Sequence, residues 1–197
     1  IGHVAATSFF PSKNLGCYGD GGAIYTNDDN LAHIIRGIVN HGMYERYHHD
    51  VVGVNSRLDS IQAGVLKAKL PHLDTYNKAR QEAARKYSLA LSQNPNIWAP
   101  FICDSCDCHV FHQYVIRILN GKRDGLLAHL QEKGIPCAIY YPIPLHSQKA
   151  YADSRYKEED FPVTNQLVKE VIALPMHTEL DDEQIKFITD TVLEYIK

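Results

Sequence analysis

One lysine set in a turn of small and hydroxyl-bearing residues constrains this chain more than any other feature. The stretch is Ser8-Phe9-Phe10-Pro11-Ser12-Lys13-Asn14-Leu15-Gly16, running on into Gly19-Asp20-Gly21-Gly22-Ala23. Residues 4–10 read as a short buried strand, which Pro11 stops because it has no N–H to give a ladder. A lysine held against buried strand ends loses hydration of its charged form, which makes it a candidate nucleophilic amine. An aldehyde cofactor such as pyridoxal phosphate (PLP) needs that amine for a Schiff base and small donors for its phosphate. Ser8 and Ser12 are candidate donors. Taken alone, the same residues also fit a solvated lysine beside a glycine-rich hairpin.

The remaining composition narrows the class. With 45% apolar and 22% charged residues, 197 residues suffice for one large globular domain or two small ones. A net charge of -3 argues against nucleic acid as the main partner but leaves room for a small anion held by local cations. No apolar run approaches the roughly 20 residues of a membrane helix. Ile1-Gly2-His3 carries no basic region ahead of an apolar one. The five cysteines are odd in number, and three crowd at Cys103, Cys106 and Cys108, which points to a reducing cytoplasm rather than a disulfide framework.

In chain order, Gly19 to Gly22 make a turn and Ala23-Ile24-Tyr25-Thr26 a second strand. Asp28 or Asp29 caps a helix whose inward face carries Leu31, Ile34, Ile35 and Ile38. Residues 41–50 show no period and read as loop; His48-His49-Asp50 offers metal-ligand chemistry, but neighbouring histidines in an extended segment point opposite ways. Asn55 or Ser56 caps the next helix, with Leu58, Ile61, Val65 and Leu66 on its apolar face, which would set Asn55 and Arg57 at an anion-favouring N-terminus. Pro71 kinks that helix or restarts it, and a second helix buries Leu73, Tyr76, Ala83, Tyr87 and Leu91.

Residues 97–197 alternate strand and helix. Strands are expected at 97–100, 110–119 and 137–141. Helices are expected from Lys122 to Lys133, ended by Gly134, from a Thr164 cap through Val171, and from an Asp181 cap to the end. Cys103, Cys106, Cys108 and His109 offer a zinc half-site, against a thiol-rich loop between two strands. Tyr140-Tyr141-Pro142-Ile143-Pro144-Leu145-His146 is a stiff extended turn, its tyrosines either in the core or lining a pocket.

Three of these stretches together resemble the DegT/DnrJ-type (StrS-like) sugar aminotransferases: the lysine segment, Gly53-Val54-Asn55-Ser56-Arg57-Leu58-Asp59-Ser60-Ile61-Gln62-Ala63, and Tyr140 to His146. The resemblance implies the α/β fold of PLP-dependent aspartate aminotransferases, of which this chain is similar to the C-terminal part. Residues 1–70 would be a remnant of the PLP-binding large domain, 71–95 a connecting helix and 96–197 a small α/β domain. It implies that Lys13 forms the Schiff base with PLP and that Ser8 contacts the cofactor phosphate. Asn55 would reach that phosphate in the partner subunit of a homodimer with shared active sites. Arg57, Tyr140, Tyr141 and His146 would bind a nucleotide-linked keto sugar, with glutamate as the usual amino donor. Tyr140 stands where a histidine is frequent. In a dehydratase branch histidine replaces the lysine, so Lys13 favours the aminotransferases; a non-catalytic or regulatory relative, or a zinc-stabilised interaction module, is the alternative. The family's carboxylate for the pyridine nitrogen lies ahead of the lysine segment. The 197 residues alone are therefore expected not to transaminate.

Overall fold

The computed structural model describes residues 2–102 and 108–197. The chain divides into two compact units between Asp74 and Thr75. No helix among the described residues is long and apolar enough to cross a membrane.

In the first unit, β1 (Ala5–Ser8) pairs antiparallel with β2 (Gly22–Tyr25), Ala5 opposite Tyr25 and Ser8 opposite Gly22. The expected strand is present but shorter, and all four of its residues are exposed rather than buried. A two-stranded ribbon leaves each strand one neighbour, too little to cover both faces. Asp28 caps α1 (Asp29–Val39), its Oδ1 accepting from the Asn30 and Leu31 amides at 2.9 and 3.1 Å. Of the apolar stripe, Leu31 and Ile35 are half-buried, whereas Ile34 and Ile38 remain exposed.

Residues 41–50 are not the expected loop. They form a hairpin of β3 (Met43–Glu45) and β4 (His48–His49). Its turns use positive φ at His41, Gly42 and Tyr47, and its strands are too short for a period-2 pattern to be read. His49 Nδ1 lies 2.8 Å from the His41 carbonyl oxygen. The chain then passes so close to itself that a Cβ on Gly53 would lie 2.0 Å from the Gly42 nitrogen. That approach lets the Val54 and Ser56 amides donate to the Ile38 and Val39 carbonyls, capping the C-terminus of α1.

These bonds hold Asn55 in extended backbone, bridged to Asn40. Helix α2 (Ser60–Lys69) starts later than expected, capped by Asp59, whose Oδ1 accepts from the Ile61 amide at 2.8 Å. Asn55 and Arg57 therefore do not sit on a helix N-terminus. A 3₁₀ turn at Leu70–His72 places Pro71 in a first turn, and α3 (Leu73–Leu91) restarts from it.

The second unit packs helices on a three-stranded antiparallel sheet of β5 (Ile97–Trp98), β6 (Tyr114–Ile118) and β7 (Val171–Leu174), in that order. Its other helices are α4 (Arg123–Glu132), α5 (Pro162–Glu170) and α6 (Asp182–Tyr195). Tyr87, Leu91, Tyr114, Ile116, Leu126, Ile172 and Val192 meet in a fully buried core. Strand β7 falls where the sequence reading ended a helix, since a four-residue apolar run after a helix has no period of its own. The expected strand at 137–141 shrinks to one bridge between Ala138 and Ala173. Helix α5 opens on Pro162 rather than on a Thr164 cap. Gly134 (φ 73°) ends α4, and Asp181 forms a reciprocal cap with Gln184 at the start of α6, both as expected. The zinc half-site proposed from Cys103 and Cys106 lies outside the described residues.

Two buried tyrosines brace this core. Their rings stack at 5.0 Å, Tyr87 donates to the Pro175 carbonyl at 3.0 Å, and the Tyr114 and Ser88 hydroxyls lie 2.7 Å apart. Burial raises both phenols above their ordinary range, Tyr114 to about 12 despite its bond with Ser88.

Candidate active site around the Lys13 turn

The lysine turn is assembled by three short backbone bonds and one bond to a side chain. Phe9 donates to Gly21 and Cys17 donates back to Phe9, both at 2.8 Å, which closes the base of the loop. Lys13 donates to the Phe10 carbonyl at 2.8 Å, making a β-turn with Pro11 at its second position, where its fixed φ belongs. The Phe10 amide in turn donates to Ser8 Oγ at 3.2 Å. That bond uses a lone pair of the hydroxyl and leaves its proton available to an anion. Lys13 is half-buried, and among the described residues its amine makes no hydrogen bond or ion pair.

Gly16 is required here by contact rather than by dihedral angle. A Cβ on it would lie 2.5 Å from the Pro11 carbonyl oxygen and 2.8 Å from that of Phe10. The far side of the loop is held by α2. Tyr18 and Gly19 donate to Gln62 Oε1 at 2.8 and 3.1 Å, and Lys69 Nζ donates to the Gly16 carbonyl at 2.8 Å.

Asn55 and Arg57 are both exposed, and the Arg57 Nε donates to Asn55 Oδ1 at 3.4 Å. This leaves the Asn55 amide nitrogen and the outer guanidinium nitrogens of Arg57 as donors. The pair lines a concavity of about 1370 Å³ together with Thr7, Gly22, Tyr25 and Arg36. Lys13 and Ser8 are not on its wall. Within the first unit, then, Asn55 and Arg57 come together and line one concavity, whose lining does not include Lys13.

The other candidates belong to the second unit. Tyr140 and Tyr141 are exposed, with ring centres 5.5 Å apart edge to face, so the core reading of these tyrosines does not hold. His146 sits in a 3₁₀ turn (Leu145–Ser147) with its ring stacked 4.2 Å from that of Phe161. Its Nε2 is buried without a hydrogen-bond partner among the described residues. Gln62 and Lys69 were missed by sequence reasoning: Gln62 lies inside the second family-like stretch, but a bond spanning more than forty residues leaves no local pattern.

Comparison with known proteins adds the family. The DegT/DnrJ/EryC1/StrS aminotransferase family model matches residues 1–193. A protein of Geobacillus stearothermophilus named pleiotropic regulatory protein is 44% identical over all of this chain and 53% of its own length. The UDP-2-acetamido-2-deoxy-3-oxo-D-glucuronate aminotransferase of Pseudomonas aeruginosa is 49% identical over 94% of this chain and 50% of its own. The crystal structure of S. venezuelae DesV, in complex with a ketimine intermediate, superposes with a TM-score of 0.90 at 38% identity, over 98% of this chain and 52% of DesV. The chain thus spans about half the length of the curated relatives it matches. By this match along nearly its whole length, the chain belongs to the DegT/DnrJ/EryC1/StrS aminotransferase family.

Proposed function

We propose that the protein containing this chain is a PLP-dependent aminotransferase that moves an amino group from glutamate to a nucleotide-linked keto sugar, for amino-sugar biosynthesis. The Lys13 turn carries this reading: a half-buried primary amine with no hydrogen bond or ion pair among the described residues, two residues beyond the proline of its turn and five beyond a serine hydroxyl. The donor chemistry suits the cofactor. The Ser8 hydroxyl, with its oxygen already satisfied by Phe10, has a proton to give to a phosphate, and Asn55 has its amide N–H₂. When bound, PLP supplies an aldehyde for amines and a ring that takes up the electron pair left by a broken C–H bond.

In this reading Lys13 Nζ holds the cofactor, yields to the donor amine and then takes the proton from the donor's Cα. Ser8 anchors the phosphate from within the subunit. Asn55 anchors it from the partner subunit of a homodimer, its amide nitrogen remaining a donor beside Arg57. Arg57 faces anionic groups of the sugar nucleotide, which its planar fork binds bidentately. Tyr140, Tyr141 and His146 line the sugar end. The odd, clustered cysteines support a cytoplasmic setting.

The name of the Geobacillus relative favours a second reading, a regulatory member of the family. One experiment separates the two. The full-length protein with PLP is titrated with glutamate and with a panel of nucleotide keto sugars, and the lysine-bound absorbance is followed before and after borohydride. The enzyme reading expects that absorbance, its loss on reduction, and the disappearance of both it and turnover in Lys13→Ala. Turnover of Lys13→Ala near the wild-type rate would refute the role of Lys13. Absence of the band in the wild type would favour the regulatory reading.

A further inference from the structure

Two backbone amides beyond the lysine turn end on one side-chain oxygen. Tyr18 and Gly19 both donate to Gln62 Oε1, across 44 and 43 residues of chain. An amide oxygen has two lone pairs, so a single carbonyl satisfies both donors and fixes their spacing. The same helix takes a second hold. Lys69 follows Gln62 by two turns of α2 and so shares its face. Its ammonium donates to the Gly16 carbonyl and lies 4.9 Å from the centre of the Tyr18 ring. Gly16 lies so near the carbonyls of Pro11 and Phe10 that an added Cβ would fall 2.5 and 2.8 Å from them, Cys17 donates to the Phe9 carbonyl, and Phe10 closes the turn at Lys13. A displacement at 16–19 is therefore passed to the Phe9–Phe10 backbone, to which the Lys13 amide is bonded.

We propose that Gln62 is a positioning residue: through the Tyr18 and Gly19 amides, and with Lys69 as its companion, it sets where the Lys13 amine stands. This rests on the reading of Lys13 as the amine that holds PLP. Asn55 lies on the extended segment that leads into α2, five residues before its first turn. In a dimer with shared sites the stretch 55–69 would then orient its own subunit's lysine and present an asparagine to its partner's phosphate.

The test uses the full-length protein loaded with PLP and two variants. Gln62→Leu keeps the bulk and removes the acceptor, whereas Gln62→Glu keeps an oxygen acceptor. Hydrogen exchange of residues 14–19 is expected to accelerate about tenfold in Gln62→Leu, the loss of one net hydrogen bond. Its kcat is expected to fall about 10- to 100-fold from misplacement of the amine, with KM for the amino donor little changed. Gln62→Glu recovers most of both. Wild-type exchange and kcat in Gln62→Leu, or equal loss in Gln62→Leu and Gln62→Glu, overturns the proposal. If Gln62→Leu does not fold, Gln62→Asn is read by the same criteria, since it draws the acceptor back by one methylene. A wild-type protein that binds no PLP overturns the cofactor reading instead, while the exchange comparison still decides whether Gln62 holds the loop.

Discussion

Replacing Gly16 by alanine perturbs the lysine turn without touching any candidate chemical group. The new methyl carbon would sit 2.5 Å from the Pro11 oxygen, where ordinary contact begins near 3.4 Å, so about 0.9 Å must be found somewhere. Residue 16 cannot simply retreat, because Lys69 holds its carbonyl and Gln62 the two amides beyond. The side that gives is the Phe10–Pro11 backbone, whose Phe10 carbonyl accepts from the Lys13 amide. Overpacking of this kind costs about 1–3 kcal/mol, which lowers Tm by several degrees while the fold persists. Moving a reacting group by close to an ångström costs on the order of 100-fold in rate. A stopped-flow half-reaction of the full-length protein with glutamate, paired with a thermal melt, reads both quantities. A half-reaction within about threefold of wild type, with the melt unchanged, would show that the turn absorbs a methyl group elsewhere and that Gly16 does not transmit position to Lys13.

A mixed dimer with Lys13→Ala in one subunit and Asn55→Ala in the other tests the shared site. If Asn55 crosses the interface, both lesions fall in one site, the other is intact, and about half the activity survives. Activity reduced to that of an Asn55→Ala site alone would place Asn55 beside its own subunit's lysine. The buried tyrosines predict alkaline sensitivity. Tyr114 titrates near 10.0 when unfolded and about 12 when folded, so the folded state holds its proton longer. The resulting stability is complete below pH 10 and is lost as pH rises to about 12, on the order of 2–3 kcal/mol. Urea melts across that range should steepen in the wild type relative to Tyr114→Phe; identical pH dependence of the two would sink the assignment.

Much of this molecule could be read from residues alone, because the signals are local. Asp28 before α1, Asp181 with Gln184 before α6, and Gly134 after α4 each satisfy backbone groups within a few residues of themselves. The Ser8–Lys13 turn is equally local, its bonds running from Lys13 to Phe10 and from Phe10 to Ser8. The 3.6-residue pattern of α3 and α6 likewise announced the faces that bury Tyr87 and Val192.

What only the tertiary structure decided involves bonds between distant segments. Asn55 looked like a helix cap. It lies in extended backbone because the Val54 and Ser56 amides are spent on the carbonyls of α1, leaving Asp59 to open α2. The helix expected to run through Val171 stops before it, and Val171 to Leu174 form a buried strand because β6 offers them a ladder, whereas of Cys137 to Tyr141 only Ala138 pairs with that strand. Ile34 and Ile38 carry an apolar stripe that periodicity marks as inward, yet they stay exposed, since a stripe states what should be covered and only packing supplies the cover. The grip of Gln62 and Lys69 on the lysine loop belongs to the same class: hydrogen bonds across more than forty residues depend on where two segments meet, and no local pattern encodes that meeting.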